Sequence, residues 1–218
     1  MSQWSLDEIR SKLFAAVISD CLDQAGIWKQ ALPSRIRPLD DSLVMVGRAR
    51  TASFMEVYHV PPGNPYELEI ALVDSLKPGD VPVFACSNAA RVGPWGELLS
   101  TAGKARGAAG AVMDGCTRDI KAIRAMGFPV FHGGIAPLDS KGRGKIMAID
   151  VPIECGGVAV ETGDLVFGDA DGVVVIPRAR EEEVLRLAFD KIKGEKNTLR
   201  DLQRGDRLAD VFQRYGVL

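Results

Sequence analysis

The middle of the chain alternates between short apolar runs and longer runs in which apolar residues recur at helical spacing. Strands that alternate with helices in this way are typical of parallel β-α units, so this pattern limits the chain to an α/β class of fold more than any other feature does. The predicted elements are, in order, a strand at Val81–Cys86, a helix at Glu97–Arg106, a strand at Ala111–Met113, a helix at Ile120–Met126 and a strand at Pro129–His132.

A different pattern begins near residue 146. Short strands are separated here by turn sequences such as Thr162-Gly163-Asp164 and Asp171-Gly172, which indicates antiparallel sheet. Since no linker or repeat interrupts the chain, we expect one domain over residues 1–218, with a mixed sheet covered by helices and a helical C-terminal extension from about residue 178 to 218. The predicted strands are Ile146–Val151, Gly157–Val160, Leu165–Gly168 and Val173–Ile176.

Helices are also predicted near both ends of the chain. Ser5 is a good helix N-cap, and Glu8 three residues later completes a capping box. Apolar residues then recur at helical spacing as far as Leu22, and the helix is expected to end near Gly26. The remaining predictions are a strand at Val44–Phe54, a loop at His59–Asn64, a helix at Pro65–Leu76, an amphipathic helix at Arg178–Lys196 and helical pieces over Thr198–Tyr215.

Composition excludes several classes of protein. A formal net charge of −2 gives no broad basic surface, so no nucleic-acid partner is expected. No apolar run approaches the roughly 20 residues that cross a bilayer, and no signal peptide is recognisable, so we expect a cytoplasmic protein without a membrane partner. The four cysteines form no CxxC pair, which favours reduced, buried thiols over a zinc site; a nucleophilic cysteine would need His59 or His132 as its base.

Two segments combine a strand, a short turn and a helix start. The first is Gly-Pro-Trp-Gly-Glu-Leu-Leu at 93–99, and the second is Asp-Gly-Cys-Thr-Arg-Asp at 114–119. Ligands of open α/β sheets gather where strands end and the free N–H groups of helix N-termini point outward. The first segment is therefore suited to an anion such as a carboxylate. The second offers the guanidinium of Arg118 for a carboxylate and a neighbouring carboxylate for a hard cation.

Each of these residues also has a purely structural interpretation. Glu97 is placed where a helix dipole favours an acid in the first turn, and Asp119 is placed where an N-cap would be. Asp114 with Gly115 reads as a turn, and Arg118 as a solvated surface side chain. Taken one at a time, such capping and turn roles are the commoner ones.

A series of motifs follows in a fixed order along the chain. They are Gly96-Glu97-Leu98-Leu99, Lys104-Ala105-Arg106-Gly107, Asp114-Gly115 with Arg118-Asp119, Gly127-Phe128-Pro129-Val130-Phe131, Gly156-Gly157-Val158, Gly163-Asp164, Asp169-Ala170-Asp171-Gly172-Val173-Val174 and Arg214-Tyr215-Gly216-Val217-Leu218. In these motifs the chain resembles the RraA-like family over roughly residues 10–218. This family contains aldolases for 4-hydroxy-4-methyl-2-oxoglutarate and 4-carboxy-4-hydroxy-2-oxoadipate, which also decarboxylate oxaloacetate.

The resemblance implies an α-β-β-α sandwich of the swivelling phosphohistidine-domain type, assembled as a homotrimer or homohexamer. It implies that Arg118 binds pyruvate together with the segment Gly96-Glu97-Leu98-Leu99, through the backbone N–H groups of Leu98 and Leu99. Asp119 would bind a divalent metal, and Glu97, often Asp in relatives, would contact it through water. Glu195 is the best match for an acid that relatives contribute from the adjacent subunit. Arg118, Glu97 and Glu195 would then be the catalytic residues.

The implied activity is that of a metal-dependent lyase acting on a small 2-oxo acid. Such an enzyme cleaves a 4-hydroxy-2-oxo acid to pyruvate by a retro-aldol reaction and also decarboxylates oxaloacetate. One protein carboxylate with several waters suits Mg²⁺ or Mn²⁺ better than zinc. The competing Schiff-base mechanism would need a lysine in a dry pocket. Lys104 lies two helical turns beyond Glu97, and Lys121 and Lys145 lie in polar stretches.

Two other functions fit the same resemblance. One branch of the family regulates ribonuclease E by protein–protein binding, but it is typically shorter and lacks an extension like residues 178–218. A phosphohistidine carrier shares the fold, yet His59 and His132 lack the surrounding signature. The sequence also departs from many relatives, which have a basic residue where this chain has His132-Gly133-Gly134. Substrate preference is expected to differ for that reason.

Overall fold

A computed structural model describes residues 3–59, 62–87 and 91–216. Val60 and Pro61 of the predicted loop and the last two residues of the closing motif, Val217 and Leu218, lie outside the described residues. The strands, in chain order, are β1 (Arg37–Pro38), β2 (Met45–Glu56), β3 (Asp80–Ala85), β4 (Ala111–Thr117), β5 (Val130–Ile135), β6 (Gly144–Ile149), β7 (Ile153–Cys155), β8 (Val158–Val160), β9 (Leu165–Asp169) and β10 (Gly172–Ile176).

Helices lie before, between and after these strands. A single 3₁₀ turn, Arg178–Arg180, leads into the longest of them. The helices are α1 (Leu6–Lys12), α2 (Ala15–Gln24), α3 (Glu67–Asp74), α4 (Glu97–Ala105), α5 (Ile120–Met126), α6 (Glu181–Gln203) and α7 (Leu208–Tyr215). Within the described ranges, none of them is long and apolar enough to cross a bilayer.

The main sheet is mixed and nearly closed. Its strand order is β1-β5-β4-β3-β2-β9-β10, with β6 paired to the second half of β2. Strands β2, β3, β4 and β5 are parallel, as the strand–helix alternation predicted, and β9 and β10 are antiparallel. Ala31 bridges to Val174 of β10 just before the chain enters β1, which brings the two ends of the sheet together. Strands β7 and β8 form a separate hairpin.

Three hydrophobic clusters lie between the layers and confirm the predicted α-β-β-α sandwich. One packs α3, α4 and α5 against the parallel strands, and a second packs α1, α2 and α6 against β9 and β10. The third lies between the two halves of the sheet and includes the β7–β8 hairpin. Strand residues alternate between the clusters, since successive side chains point to opposite faces. Phe84 faces the first cluster, for example, and its neighbours Val83 and Ala85 face the third.

The N-terminal helix prediction was only half right. Ser5 caps α1 and forms the expected capping box with Glu8. The helix does not run on to Gly26, however, because Leu13 is extended and a new helix, α2, begins at Ala15. The backbone N–H of Ala15 donates to the carboxylate of Asp169, 2.8 Å away at the end of β9. This cap comes from a distant part of the chain, so local periodicity does not reveal it.

Other differences concern short or extended elements. The two-residue strand β1 and the three-residue strand β7 were not predicted, since too few residues carry a periodic signal. Strand β4 continues to Thr117, beyond the predicted end at Met113. The predicted helix at 178–196 instead begins with the 3₁₀ turn and continues as α6 to Gln203.

Candidate active site

A cavity of about 550 Å³ lies where the two predicted segments meet. It is called the site cavity below. Strand β4 ends at one side of it, and α4 begins at the other. The cavity therefore lies at the carboxyl end of the parallel strands, where α/β sheets bind ligands. Its lining residues are Tyr66, Glu69, Ile70, Gly93, Pro94, Gly96, Glu97, Leu98, Leu99, Arg118, Asp119, Asp139 and Ser140.

Trp95 joins the two segments. Its carbonyl oxygen accepts hydrogen bonds from the backbone N–H of Arg118 at 3.1 Å and from the hydroxyl of Thr117 at 3.0 Å. Its indole, fully buried against Phe84 and Phe128, donates to the Ser100 hydroxyl at 2.8 Å. Because a buried aromatic side chain anchors both segments, the start of α4 and the end of β4 are held in a fixed relative position.

Asp119 occupies the N-cap position of α5 but does not cap that helix with its side chain. Its backbone is left-handed, with φ of 59°, an uncommon conformation for a residue other than glycine. The carboxylate Oδ2 instead accepts the backbone N–H of Glu97, at 3.1 Å, at the start of α4. The capping interpretation of Asp119 is therefore wrong for its own helix. The strained backbone turns the carboxylate into the site cavity.

Gly96 makes this approach possible. A Cβ atom at this position would lie 2.5 Å from Oδ2 of Asp119 and 3.1 Å from Cγ of Arg118. No side chain fits there unless Asp119 moves. Gly96 therefore has two roles. It lets the first segment pack closely against the second, and it is the N-cap residue of α4.

The first turn of α4 faces the cavity with unused donors. The backbone N–H groups of Leu98 and Leu99 have no protein acceptor in the part of the chain that the structure describes. Glu97 is exposed beside them, in the first turn. Free N–H groups and the positive end of the helix dipole favour an anion at this point.

Arg118 lies between two carboxylates. Its Nε is 3.7 Å from Oδ2 of Asp119, and its Nη2 is 3.7 Å from Oδ1 of Asp139. Both contacts are long for ion pairs, and the side chain of Arg118 is 35% exposed. The guanidinium therefore keeps donors available for a ligand carboxylate in the cavity. Glu97, Arg118 and Asp119 are called the rim of the site cavity below.

The opposite side of the cavity contains residues that the sequence analysis missed. Glu69 of α3 and Ser140 are 4% and 3% exposed, and the Ser140 hydroxyl lies 3.4 Å from Oε2 of Glu69. Asp139 accepts a 2.7 Å hydrogen bond from the hydroxyl of Tyr66. Glu69, Asp139 and Ser140 are called the floor below. No motif marks them, because they come from a helix and a loop 70 residues apart.

A close backbone approach brings the loop after β5 to the cavity. A Cβ atom on Gly93 would lie 2.6 Å from the carbonyl oxygen of Leu138, so only glycine lets this loop pack so tightly. The backbone N–H of Ala136 also donates to the carbonyl of Thr117, at 3.1 Å. Together these contacts place Asp139 beside Arg118.

The two acids of the floor differ in charge near neutral pH. Burial raises the pKa of Glu69 from its ordinary value of 4.5 to about 7, and the nearby Asp139 adds to this rise. Burial also acts to raise the pKa of Asp139, but the Tyr66 hydroxyl and the charge of Arg118 outweigh it and leave that pKa below its ordinary value. The floor therefore combines an ionised acid, Asp139, with an acid, Glu69, that is only partly ionised near neutral pH.

Asp114 belongs to the same motif as Arg118 but not to the site cavity. It lies within β4, so its interpretation as a turn is wrong. One carboxylate oxygen accepts the backbone N–H of Cys86, and the other accepts that of Gly156 at 3.0 Å. This buried carboxylate links the end of β3 to the β7–β8 hairpin. Its role is structural.

Asp119 fits the role of a single carboxylate ligand for a divalent cation. Its side chain is 42% exposed, and only Oδ2 is engaged by groups in the described residues. Across residues 3–59, 62–87 and 91–216, no three His, Cys, Asp or Glu side chains form a group that could hold a metal. A single exposed carboxylate such as that of Asp119 suits an ion that takes most of its ligands from water and substrate, as Mg²⁺ does.

Glu195 lies outside the site cavity of its own chain. It is on α6, in a groove formed with Ser11, Phe14 and Leu199. The expectation that it reaches the cavity of a neighbouring subunit stays a prediction.

The lysines of the Schiff-base mechanism and one of the two histidines are not placed for the competing mechanisms. Lys104, Lys121 and Lys145 do not line the site cavity, and His132 is buried in β5 rather than presented to a partner. All four cysteines are free and buried, as expected. Burial raises the pKa of each thiol, for Cys21 to about 11, which opposes a thiolate nucleophile.

The profile of the RraA-like family, described as Aldolase/RraA, matches residues 15–175. The chain belongs to the RraA-like family. Its sandwich is accordingly of the swivelling phosphohistidine-domain type, as predicted. The C-terminal segment from residue 178 onward lies beyond the range that the family profile matches.

Relatives of similar length share both sequence and fold. A Halalkalibacterium halodurans protein, provisionally named 4-hydroxy-4-methyl-2-oxoglutarate aldolase, is 38% identical over 191 residues, or 88% of this chain and 86% of the relative. A crystal structure of an uncharacterised Pseudomonas syringae protein is 28% identical, with a TM-score of 0.83 over 94% of this chain and 95% of its own. Streptomyces coelicolor RraAS2, described as an unusual member of the RNase ES inhibitor RraA family, is 31% identical, with a TM-score of 0.78 over 88% and 94%.

Proposed function

We propose that this chain is a divalent-metal-dependent lyase that cleaves 4-hydroxy-2-oxo acids, of the 4-hydroxy-4-methyl-2-oxoglutarate type, to pyruvate, and that it also decarboxylates oxaloacetate. The observation that carries the proposal is the rim, where the guanidinium of Arg118 and the carboxylate of Asp119 lie beside the free N–H groups at the start of α4. The name of the Halalkalibacterium halodurans relative supports the same reaction.

Arg118 and the start of α4 would bind the 2-oxo acid. The guanidinium provides two parallel donors for the substrate carboxylate, and the N–H groups of Leu98 and Leu99 provide two more. Cleavage of the C3–C4 bond leaves an enolate of pyruvate, and oxaloacetate loses carbon dioxide to give the same enolate. Fixed donors stabilise this negative charge without reorganising during the reaction.

Asp119 would hold the metal. A divalent cation there, Mg²⁺ or Mn²⁺, would supply Lewis-acid stabilisation of the charge that develops on the 2-oxo oxygen. Glu97, exposed at the cavity, would accept the proton of the substrate 4-hydroxyl through water. Decarboxylation has no such proton to remove, so it depends less on Glu97.

The assembly is proposed to be a homotrimer or homohexamer in which Glu195 completes the cavity of the next subunit. Its distance along the chain from the rim, and its place outside its own cavity, support a head-to-tail contact of this kind. Mixed Glu195→Ala and Arg118→Ala subunits should then regain aldolase activity, because some interfaces carry both intact residues. The shared site would be ruled out if aldolase activity did not recover although the two kinds of subunit were shown to have exchanged. A monomer that sedimentation shows to be fully active would also rule it out.

The function is tested by measuring pyruvate release from 4-hydroxy-4-methyl-2-oxoglutarate and from oxaloacetate. We expect a chelator to abolish release from both and added Mg²⁺ or Mn²⁺ to restore it. Full activity in excess chelator, or borohydride trapping of a substrate adduct, would contradict the metal mechanism.

The RraA-type regulator is the alternative, and the RraAS2 neighbour supports it. It predicts a different result in a paired assay. A protein that releases no pyruvate with either substrate but lowers ribonuclease E cleavage of an RNA would favour protein–protein regulation over the lyase.

A further inference from the structure

Glu69 is a buried acid with an unsatisfied oxygen. It lies on α3, is 4% exposed and lines the site cavity. Its Oε1 has no hydrogen-bond partner among the described residues, and its only polar contact there is the Ser140 hydroxyl at Oε2. An ionised carboxylate left with so few donors is costly to bury, whereas the neutral acid is not. The geometry therefore favours a Glu69 that carries a proton.

The floor connects this proton to the rim. The Ser140 hydroxyl lies 3.4 Å from Oε2 of Glu69 and 3.5 Å from Oδ1 of Asp139. Two backbone N–H groups, from Arg143 and Gly144, donate to the carbonyl of Ser140 and fix its position. Ser140 therefore lies between the buried acid and the part of the cavity where Arg118 would hold a substrate.

We propose that Glu69 stores the proton that the site returns to carbon, and that the Ser140 hydroxyl relays it to C3 of the pyruvate enolate. This inference rests on the proposed lyase function and adds a residue to it. Glu69 acts through Ser140, so it is a proton-relay residue rather than a group that touches the substrate.

The relay balances for both reactions. The O–H bond of Glu69 breaks as Ser140 gains that proton, and the original O–H bond of Ser140 breaks as a C–H bond forms at C3. The electron pair for the new bond comes from the enolate, whose oxygen becomes the 2-oxo group of pyruvate. Glu69 is left as a carboxylate. It regains a proton from the one released by the 4-hydroxyl in the aldol reaction, or from solvent in the decarboxylation.

Glu69 borders two cavities, and titratable groups line both of them. Asp139 and Arg118 face it across the site cavity, with opposite effects on its proton, and Tyr66 lies one turn earlier on its own helix. A second cavity, of about 320 Å³, lies on its other side and is lined by His59, Glu67 and Lys145 among others. The net effect raises the pKa of Glu69 to about 7, chiefly through burial, so both protonation states are populated at neutral pH.

The test is hydrogen–deuterium exchange of the pyruvate methyl group, followed by proton NMR in D₂O with Mg²⁺ present. Exchange runs the proposed relay backwards and forwards and does not require a C–C bond to break. For the wild type we expect exchange that rises with pD as Glu69 loses its proton. Glu69→Gln should slow exchange about 10²-fold and remove this rise, while Glu69→Asp should restore part of both. Glu67→Gln, an exposed acid on the same helix, is the matched control and should exchange like the wild type.

Pyruvate binding, measured by calorimetric titration, separates the relay from a structural role. Slow exchange with unchanged pyruvate affinity in Glu69→Gln supports the relay. Equal loss of exchange and affinity, or a Glu69→Gln protein that keeps the wild-type rate and pD profile, overturns it. If the wild-type protein releases pyruvate and exchanges the methyl protons of pyruvate, the proposed lyase function is supported whatever the result for Glu69→Gln. If the wild-type protein does neither, the proposed lyase function is wrong.

Discussion

The rim and the floor of the site cavity place their acids in opposite surroundings. On the rim, Asp119 is 42% exposed, lies beside Arg118 and accepts a backbone N–H at a helix start. In the floor, Glu69 is 4% exposed, and one of its oxygens has no partner among the described residues. The rim is suited to holding cations and anions through fixed charges. The floor is suited to taking up and releasing a proton, because burial raises the pKa of Glu69 to about 7 and populates both of its protonation states near neutral pH.

This difference indicates a division of labour within one cavity. Substrate and metal need groups that stay charged, while proton return needs a group that changes its charge. Asp139 lies between the two, since it belongs to the floor yet pairs with Arg118 and accepts from Tyr66. We therefore expect three different outcomes. Substitutions on the rim should abolish activity, a substitution at the contact between the two motifs should lower kcat moderately, and a substitution in the floor should change stability with pH.

The largest effect is expected on the rim. Arg118→Ala removes the guanidinium that would bind the substrate carboxylate, and Asp119→Ala removes the proposed metal ligand. Both reactions pass through the same enolate, so each variant should lose aldolase and decarboxylase activity together, by about 10²- to 10³-fold or more in kcat. High metal concentration should rescue Asp119→Ala only in part. Steady-state pyruvate release with both substrates measures this.

Two control variants test whether the loss of activity is specific to the rim. Asp114→Asn should lower thermal stability, because the amide keeps one acceptor oxygen and its NH₂ group faces the backbone N–H of either Cys86 or Gly156 in a buried position. Lys121→Ala, exposed on α5, should change neither stability nor activity.

The contradicting outcome for the rim concerns Arg118→Ala and Asp119→Ala. Wild-type turnover in either of these variants, with every pyruvate-releasing substrate, would show that the rim is not the site.

An intermediate effect is expected from Gly96→Ala. The added methyl group would come within 2.5 Å of Oδ2 of Asp119, and a flexible side chain relieves such a contact by moving. The backbone of Gly96 is extended, so alanine adds no strain there. We expect the fold to remain and kcat to fall about 10- to 100-fold, since displacing a ligand-binding group by an ångström is enough.

Gly103→Ala in the same helix is the control. Its Cβ would meet neighbours only at 3.7 Å or more, which is ordinary contact. This variant should keep its activity and gain slightly in stability, because alanine favours a helix over glycine. Equal activity in the two alanine variants would mean that the Gly96 contact does not position Asp119.

Rim and floor also differ in how far sequence could predict them. Arg118 and Asp119 adjoin in one motif, and Gly96 and Glu97 in another. The strand–turn–helix pattern placed both motifs at the end of the sheet, and the family resemblance gave their joint role. In the floor, Glu67 and Glu69 look alike in sequence, two residues apart on α3, and only tertiary burial separates them. The fold follows the same rule, since periodic strands and helices were predicted, whereas the break before α2 depends on Asp169 from the distant β9.

In the floor the expected effect is on stability, with no change of turnover needed to detect it. Glu69 has a raised pKa in the folded chain, about 7 against an ordinary 4.5, so between these pH values the folded state binds more protons than the unfolded state. The contribution of Glu69 to stability therefore falls as pH rises through this window, and its penalty is complete above pH 7. Glutamine does not titrate and carries no such penalty. Relative to the wild type, Glu69→Gln should thus gain up to about 3 kcal/mol in free energy of unfolding between pH 5 and pH 8.

Urea unfolding of the wild type and Glu69→Gln at pH 5 and pH 8 measures this gain directly, and Glu67→Gln controls for the loss of one acid from α3. The sign is decisive, because a Glu69 ionised and stabilised in the folded state would make Glu69→Gln progressively worse as pH rises. A gain at pH 8 combined with slow pyruvate exchange would mean that the folded chain tolerates a destabilising acid at the position where the reaction needs a proton. Such a trade of stability for activity is what the contrast between rim and floor predicts.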